Sequence, residues 1–101
     1  MAELDIKSGM AQLSELIARH MNEITVNSPA PGSEDAYLLN YLRDLLHSAK
    51  SSYSAKEIKN SVAALSRFAV DSLDLNSTSG KRVAEIANLH QALLRAERRS
   101  G

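Results

Sequence analysis

Residues 77–82 contain side chains of the types that bind phosphate. Gly80 and Lys81, at the start of a predicted helix, could place backbone N–H groups and an ammonium group around an anion. The phosphate-loop motif also requires a glycine five residues before its second glycine and a hydroxyl residue after the lysine. Leu75 and Arg82 occupy those two positions, and no predicted strand precedes them. The segment is therefore predicted to be an interhelical turn and not a nucleotide site.

The same region matches part of a calcium-binding loop. The oxygen-ligand positions of such a twelve-residue loop hold Asp74, Asn76, Thr78 and Glu85. The sixth position, which needs glycine for a sharp turn, is a serine instead. The adjacent Lys-Arg pair would repel a cation, and only two carboxylates are present. We therefore predict no calcium site.

The three histidines are His20, His47 and His90, each on a different predicted helix. None has a second metal-ligating side chain at a helical spacing that also shares its apolar face. His20 and His90 interrupt apolar stripes, which is typical of histidines that pack in a protein interior. The chain has no cysteine, and its serines cluster at helix ends and loops, so no nucleophile is matched to a base. We predict no catalytic, cofactor-binding or metal-binding residue, and no enzyme.

Four segments show helical periodicity, and none alternates in the manner of a strand. The predicted helices lie near residues 4–25, 34–50, 55–74 and 81–98, with ends uncertain by a few residues. The large apolar residues that recur at steps of three and four define one stripe on each helix. The predicted core residues are Leu13, Ile17, Leu42, Leu45, Ile58, Val62, Leu65, Ile86 and Leu93.

Local signals mark where two of these helices begin. Pro29 and Pro31 end the first helix, and Ser33 is the predicted N-cap of the second. Ser54 and Glu57 have the spacing of a capping box at the start of the third helix. Tyr53 and Ile58 stand at the two positions of a hydrophobic staple around the same start.

The length of 101 residues allows one domain, residues 1–101. Short connections between four helices favour antiparallel neighbours, so the predicted fold class is all-α, a small four-helix up-and-down bundle. No run approaches the roughly 20 apolar residues of a membrane span. The first ten residues contain acids and lack the apolar run of a secretory signal. We therefore expect a cytoplasmic protein with no membrane span.

Charge and apolar content favour an association with another chain. Residues 1–46 carry seven acids and three bases, whereas residues 47–101 carry five acids and nine bases, so the halves have net charges of −4 and +4. All four predicted helices also have apolar residues beyond the narrow stripe. A chain this short cannot easily bury all of them alone. We expect leucines to be exposed on at least one helix and the chain to form an oligomer, a homodimer when alone.

The predicted function is that of a non-enzymatic protein–protein interaction module, a small adaptor, accessory or regulatory protein that acts through amphipathic helix faces. Its partner would be itself or another protein. The fourth helix is the candidate surface, with an apolar edge framed by bases. The predicted interaction residues are Leu89, Leu93, Leu94, Arg95, Arg98 and Arg99.

A nucleic-acid-binding regulator is the alternative function. It depends on the basic residues of the third and fourth helices. Against it, the whole chain has zero net charge, whereas a DNA-binding domain usually carries net positive charge. The middle of the fourth helix, residues 84–94, also contains no base.

Residues 37–72, with a leucine-rich helix, a short serine-rich turn and a further helix, loosely resemble the small bacterial biofilm-development connector proteins. That resemblance implies a helical, dimeric protein. The hydrophobic pattern is one that any helical hairpin can share, and the preceding loop, with Pro29 and Pro31, departs from the family. We therefore assign the chain to no family on its sequence.

Overall fold

A computed structural model describes residues 6–51, 54–74 and 76–100 of the chain. Helix α1 spans Ile6–Val26, α2 spans Glu34–Ser51, α3 spans Lys59–Ser72 and α4 spans Thr78–Ser100. A single 3₁₀ turn, Lys56–Ile58, immediately precedes α3. Within these ranges there is no strand, and the all-α prediction is confirmed.

The four helices pack in a ring. Each helix contacts the next one along the chain, and α4 returns to contact α1. The connections are too short to carry the chain back along the bundle, so sequential helices run antiparallel. The result is the four-helix bundle predicted from the sequence, 43 × 23 × 22 Å in extent. Among the described residues, no helix is both long enough and apolar enough to cross a membrane.

The core consists of aliphatic side chains from all four helices. Each fully buried leucine or isoleucine contributes about 1.5–3 kcal/mol to stability. All nine predicted core residues are buried, so this prediction is confirmed residue by residue. The stripes also bury other side chains as expected: Met10, His20, Ile24, Leu38, Ala49, Ala69, Val83 and His90.

The expected exposed leucines are not found in the described chain. Every leucine there is buried or half-buried against the core. The large apolar residues that are exposed are Val26, Tyr37, Tyr41 and Val70. Leucines of the described residues therefore give no support for an oligomer, and the oligomer stays a prediction.

Serine side chains cap the starts of α2 and α4. Ser33 caps α2 as predicted, since its Oγ accepts a hydrogen bond from Ala36 N–H at 3.2 Å. Helix α4 begins three residues earlier than predicted. Ser77 Oγ accepts from Gly80 N–H at 3.1 Å, so Ser77 supplies an N-cap that the sequence analysis had assigned to a loop.

The predicted start of the third helix is wrong in detail. The N-cap of the 3₁₀ turn is Ala55, and it makes no side-chain capping hydrogen bond. Ser54 Oγ lies 3.5 Å from a carboxylate oxygen of Glu57, which is a side-chain contact and not a capping box. The staple involves Tyr53, which lies outside the described residues. At its other end α3 stops at Ser72, because Leu73 has extended backbone angles.

Candidate interaction surface

A cluster of charged side chains joins α1 to α4 around His20. His20 Nε2 lies 2.9 Å from Oε1 of Glu85, and His20 Nδ1 lies 3.3 Å from Oε1 of Glu23. Arg82 lies 3.8 Å from the other oxygen of Glu23, and Arg19 lies 3.6 Å from Glu85. The imidazole itself is buried while the carboxylates remain half-exposed. The cluster therefore links α1 to α4 through side-chain hydrogen bonds and ion pairs.

The geometry of this cluster does not suit metal binding. The two carboxylates approach opposite ring nitrogens of His20, so they cannot converge with the ring on one ion. No group of three metal-ligating side chains converges among the described residues. The calcium-loop pattern is also broken up, because Thr78 and Glu85 both lie within α4 and Glu85 faces His20. The cluster acts as a structural contact between two helices.

A second polar contact joins α4 to the start of α3. The carboxylate of Glu97 accepts a hydrogen bond from Ala55 N–H with one oxygen and from Lys56 N–H with the other, the latter at 3.2 Å. His90 Nε2–H donates to the carbonyl oxygen of Ala55 at 2.8 Å in the interior. The first N–H groups of a helix lack partners within it and carry positive partial charge. Glu97 therefore takes the capping role predicted for Ser54.

Beside this contact lies an open groove of about 400 Å³ between α3 and α4. Its lining includes three bases together with Leu94 and Glu97: Lys56, Lys59 and Arg98. Glu97 is already bonded to the backbone of the 3₁₀ turn, so the groove presents mainly positive charge.

The six predicted interaction residues of α4 differ in how far they are exposed. Leu93 is 0% exposed and lies in the core of the chain. Leu89 and Leu94 are half-buried against that core. They are five positions apart, about 140° around the helix, and lie on different sides of it. Of the six predicted interaction residues, the three that are exposed are Arg95, Arg98 and Arg99, and the role of this surface stays a prediction.

The described aromatic residues lie at the edge of the core, on neighbouring sides of α2 and α3. Tyr41 of α2 stacks on Phe68 of α3 with ring centroids 4.8 Å apart and an interplanar angle of 27°. Tyr37 lies one turn before Tyr41 on the same helix, and 54% of its surface is exposed, against 37% for Tyr41. Phe68 is half-buried. We call Tyr37, Tyr41 and Phe68 the aromatic face.

Neither Tyr41 nor Phe68 was among the predicted core or interaction residues. A signal was present, since the spacing of four between Tyr37 and Tyr41 puts both on one side of α2. That side is offset from the stripe of Leu38, Leu42 and Leu45. The pairing with Phe68 on another helix had no signal in the sequence.

Comparison of the chain with family models, with curated proteins and with solved structures found no match.

Proposed function

We propose that this chain is a protein–protein interaction module that binds a partner protein through the aromatic face. The observation that carries the proposal is the position of the described aromatic residues. Tyr37 and Tyr41 are exposed and Phe68 is half-buried beside Tyr41, whereas the fully buried large side chains are all leucine or isoleucine. Aromatic residues are enriched at the centres of protein interfaces, where they dominate the binding energy.

Burial of aromatic rings stabilises a bundle more than burial of smaller side chains, because each ring removes 150–250 Å² from water. A chain with few aromatic residues that leaves two tyrosines exposed gives up part of that stabilisation. A partner that covers the rings would recover it. The exposed tyrosines therefore favour a binding role for the α2–α3 side over the α4 surface predicted from the sequence.

Site-specific photocrosslinking in cells that naturally make the protein tests this proposal. A photoreactive phenylalanine analogue replaces Tyr37 in one variant and Gln91, an exposed residue of α4, in the control. We expect a discrete protein adduct from position 37 and none at that mass from position 91. Equal labelling from both positions, or no adduct from position 37, would overturn the proposal.

Nucleic-acid binding is the second candidate, and the groove lined by Lys56, Lys59 and Arg98 favours it. A phosphate backbone would lie along three bases beside the positive end of α3. Binding to a nonspecific DNA duplex should then weaken steeply as salt is added, and Arg98→Gln should reduce the slope of that dependence by about one unit. If Arg98→Gln binds the duplex with the same affinity and the same salt dependence as the unchanged protein, this candidate is wrong.

Self-association remains a prediction. The homodimer expected through α4 needed an apolar edge that includes Leu93, and Leu93 is internal. Sedimentation equilibrium at tens of micromolar measures the mass of the protein directly. If the measured mass is that of one 11.0 kDa chain, the protein does not self-associate, and its partner is then a different protein.

A further inference from the structure

We propose that the aromatic face binds a basic amphipathic helix of a partner protein. This inference rests on the proposed function and adds the chemistry of the partner. Three features support it: the shape of the face, the charges that flank it, and the repulsion that a second copy of the chain would meet there.

The face continues between two antiparallel helices beyond the rings themselves. On α3, Ala64 lies one turn before Phe68 and is exposed, and half-buried Ser61 lies a further turn away. On α2, half-buried Ser48 lies two turns after Tyr41. Small side chains thus follow the aromatic rings for about 17 Å along α2, taken as 1.5 Å per residue over the eleven residues from Tyr37. That length fits about three turns of a bound helix, whose anchors recur at steps of three and four.

The charged residues next to the aromatic rings are all acidic. Residues three or four positions from an aromatic ring share its side of the helix. The charged residues at such positions are three exposed acids, Glu34, Asp44 and Asp71. No base holds such a position. Within the part of the chain that the structure describes, none of the three forms an ion pair.

The two bases nearest in sequence lie farther from the rings than the three acids do. Arg43 follows Tyr41 by two residues, about 200° around α2, on the opposite side of that helix. Arg67 precedes Phe68 by one residue, about 100° around α3, and stands four residues before Asp71, so it lies beyond the acidic border. Arg43 also lies 3.5 Å from the side-chain oxygen of Asn40. The face therefore presents apolar rings within an acidic border, and its complement is an apolar stripe bordered by lysine or arginine. Such bases can also approach the ring faces of the tyrosines.

A second copy of the chain is a poor occupant. A two-fold interface places the same patch of both copies together, so Glu34, Asp44 and Asp71 would face the acidic border of the other copy. Like charges placed opposite each other across an interface are costly. The acidic border therefore selects a different chain, one that carries the opposite charge.

Binding of designed peptides to the full-length protein tests the inference. The probe is an eighteen-residue amphipathic helix of leucine and lysine with one tryptophan as a fluorophore, which this chain lacks. The controls are the same peptide with glutamate for lysine, and a leucine–lysine peptide of identical composition whose order destroys the stripe. We expect the basic amphipathic peptide to bind and the two controls to bind at least about tenfold more weakly, a difference of 1.4 kcal/mol.

Variants locate the binding. Tyr37→Ser, at an exposed position, should weaken binding of the basic peptide by about tenfold. Val70→Ser is the matched control, because Val70 is 67% exposed but lies about 200° around α3 from Phe68. The double variant Asp44→Lys with Asp71→Lys should bind the acidic peptide more tightly than the basic one. Circular dichroism confirms that each variant remains helical.

The outcomes separate this inference from the proposed function. Equal binding of the acidic and basic peptides, or equal loss in Tyr37→Ser and Val70→Ser, would overturn the basic-helix inference. Sedimentation showing a dimer that Tyr37→Ser dissociates would overturn it too, because the occupant would then be a second copy. If Tyr37 crosslinks a partner in cells and Asp44→Lys does not affect that adduct, the interaction module stands and the charge selection fails.

Discussion

The carboxylate of Glu97, near the end of α4, accepts hydrogen bonds from the backbone N–H groups of Ala55 and Lys56, 42 and 41 residues earlier in the chain. A helix start is usually satisfied by a side chain next to it in sequence. Here a distant carboxylate takes that role, so the start of α3 forms fully only when α4 is docked. Local capping and tertiary packing are therefore coupled at this corner of the bundle.

We predict that Glu97→Ala lowers the free energy of unfolding by about 1–2 kcal/mol, because two N–H groups at the 3₁₀ turn lose their acceptor. Glu97→Gln should cost less, since its amide retains one acceptor oxygen. Ser54→Ala, which removes the cap predicted from the sequence, should change stability by less than about 0.5 kcal/mol. Urea denaturation of the three variants measures these differences. A larger loss in Ser54→Ala than in Glu97→Ala would show that Ser54 is the cap after all.

We predict that Leu93→Glu prevents folding, because a carboxylate would replace a leucine that is 0% exposed in the aliphatic core. Arg95→Glu is the control two residues away on the exposed side of α4, and it should keep the helical signal of the unchanged protein. Far-UV circular dichroism distinguishes the two variants. A helical Leu93→Glu protein of reduced mass would instead place Leu93 in an interface between chains.

We predict that Tyr41 and Phe68 stabilise each other by about 0.5–1.5 kcal/mol beyond their area of burial, as stacked rings do. A double-mutant cycle with Tyr41→Ala and Phe68→Ala isolates that energy from the cost of each truncation. The cycle of Tyr37→Ala with Val70→Ala is the reference, and it should give a coupling near zero. Additive effects of Tyr41→Ala and Phe68→Ala would mean that the rings do not stack in solution.

We predict that Gly32→Ala lowers stability by about 1 kcal/mol. Gly32 has a φ of +81° in the connection before α2, and no atom lies within 4 Å of where a Cβ would stand. The cost is therefore one of backbone conformation and not of a steric clash. Ala30→Ser, at an exposed position in the same connection, should change stability by less than about 0.5 kcal/mol. Thermal denaturation compares them, and an unchanged midpoint for Gly32→Ala would contradict the strained geometry.

The fold and its core were predictable because the signals that specify them are local. Apolar residues at steps of three and four fall on one face of a helix whatever surrounds it, and all nine predicted core residues are buried. The same holds for Ser33, whose cap of α2 depends only on the three residues that follow. Short loops then left the up-and-down order as the natural arrangement.

The start of α3 and the surface of α4 were predicted less well, for two different reasons. Ser54 has a good local capping pattern, but the carboxylate of Glu97 reaches the same N–H groups from another helix. Leu93 belonged both to the predicted core and to the predicted edge, and the packing of α4 against its neighbours placed it inside. A stripe shows which side of a helix is apolar, but not how far neighbouring helices cover the flanks.

The sequence by itself therefore determined the four helices and their inward faces, since both depend on spacing within one helix. The tertiary structure alone decided that His20 meets Glu85, that Glu97 caps the turn before α3 and that Tyr41 stacks on Phe68. Each of these pairs joins two helices. Their contact depends on the rotation and axial register of one helix against the other, which packing of the whole core sets and no spacing along a single helix encodes.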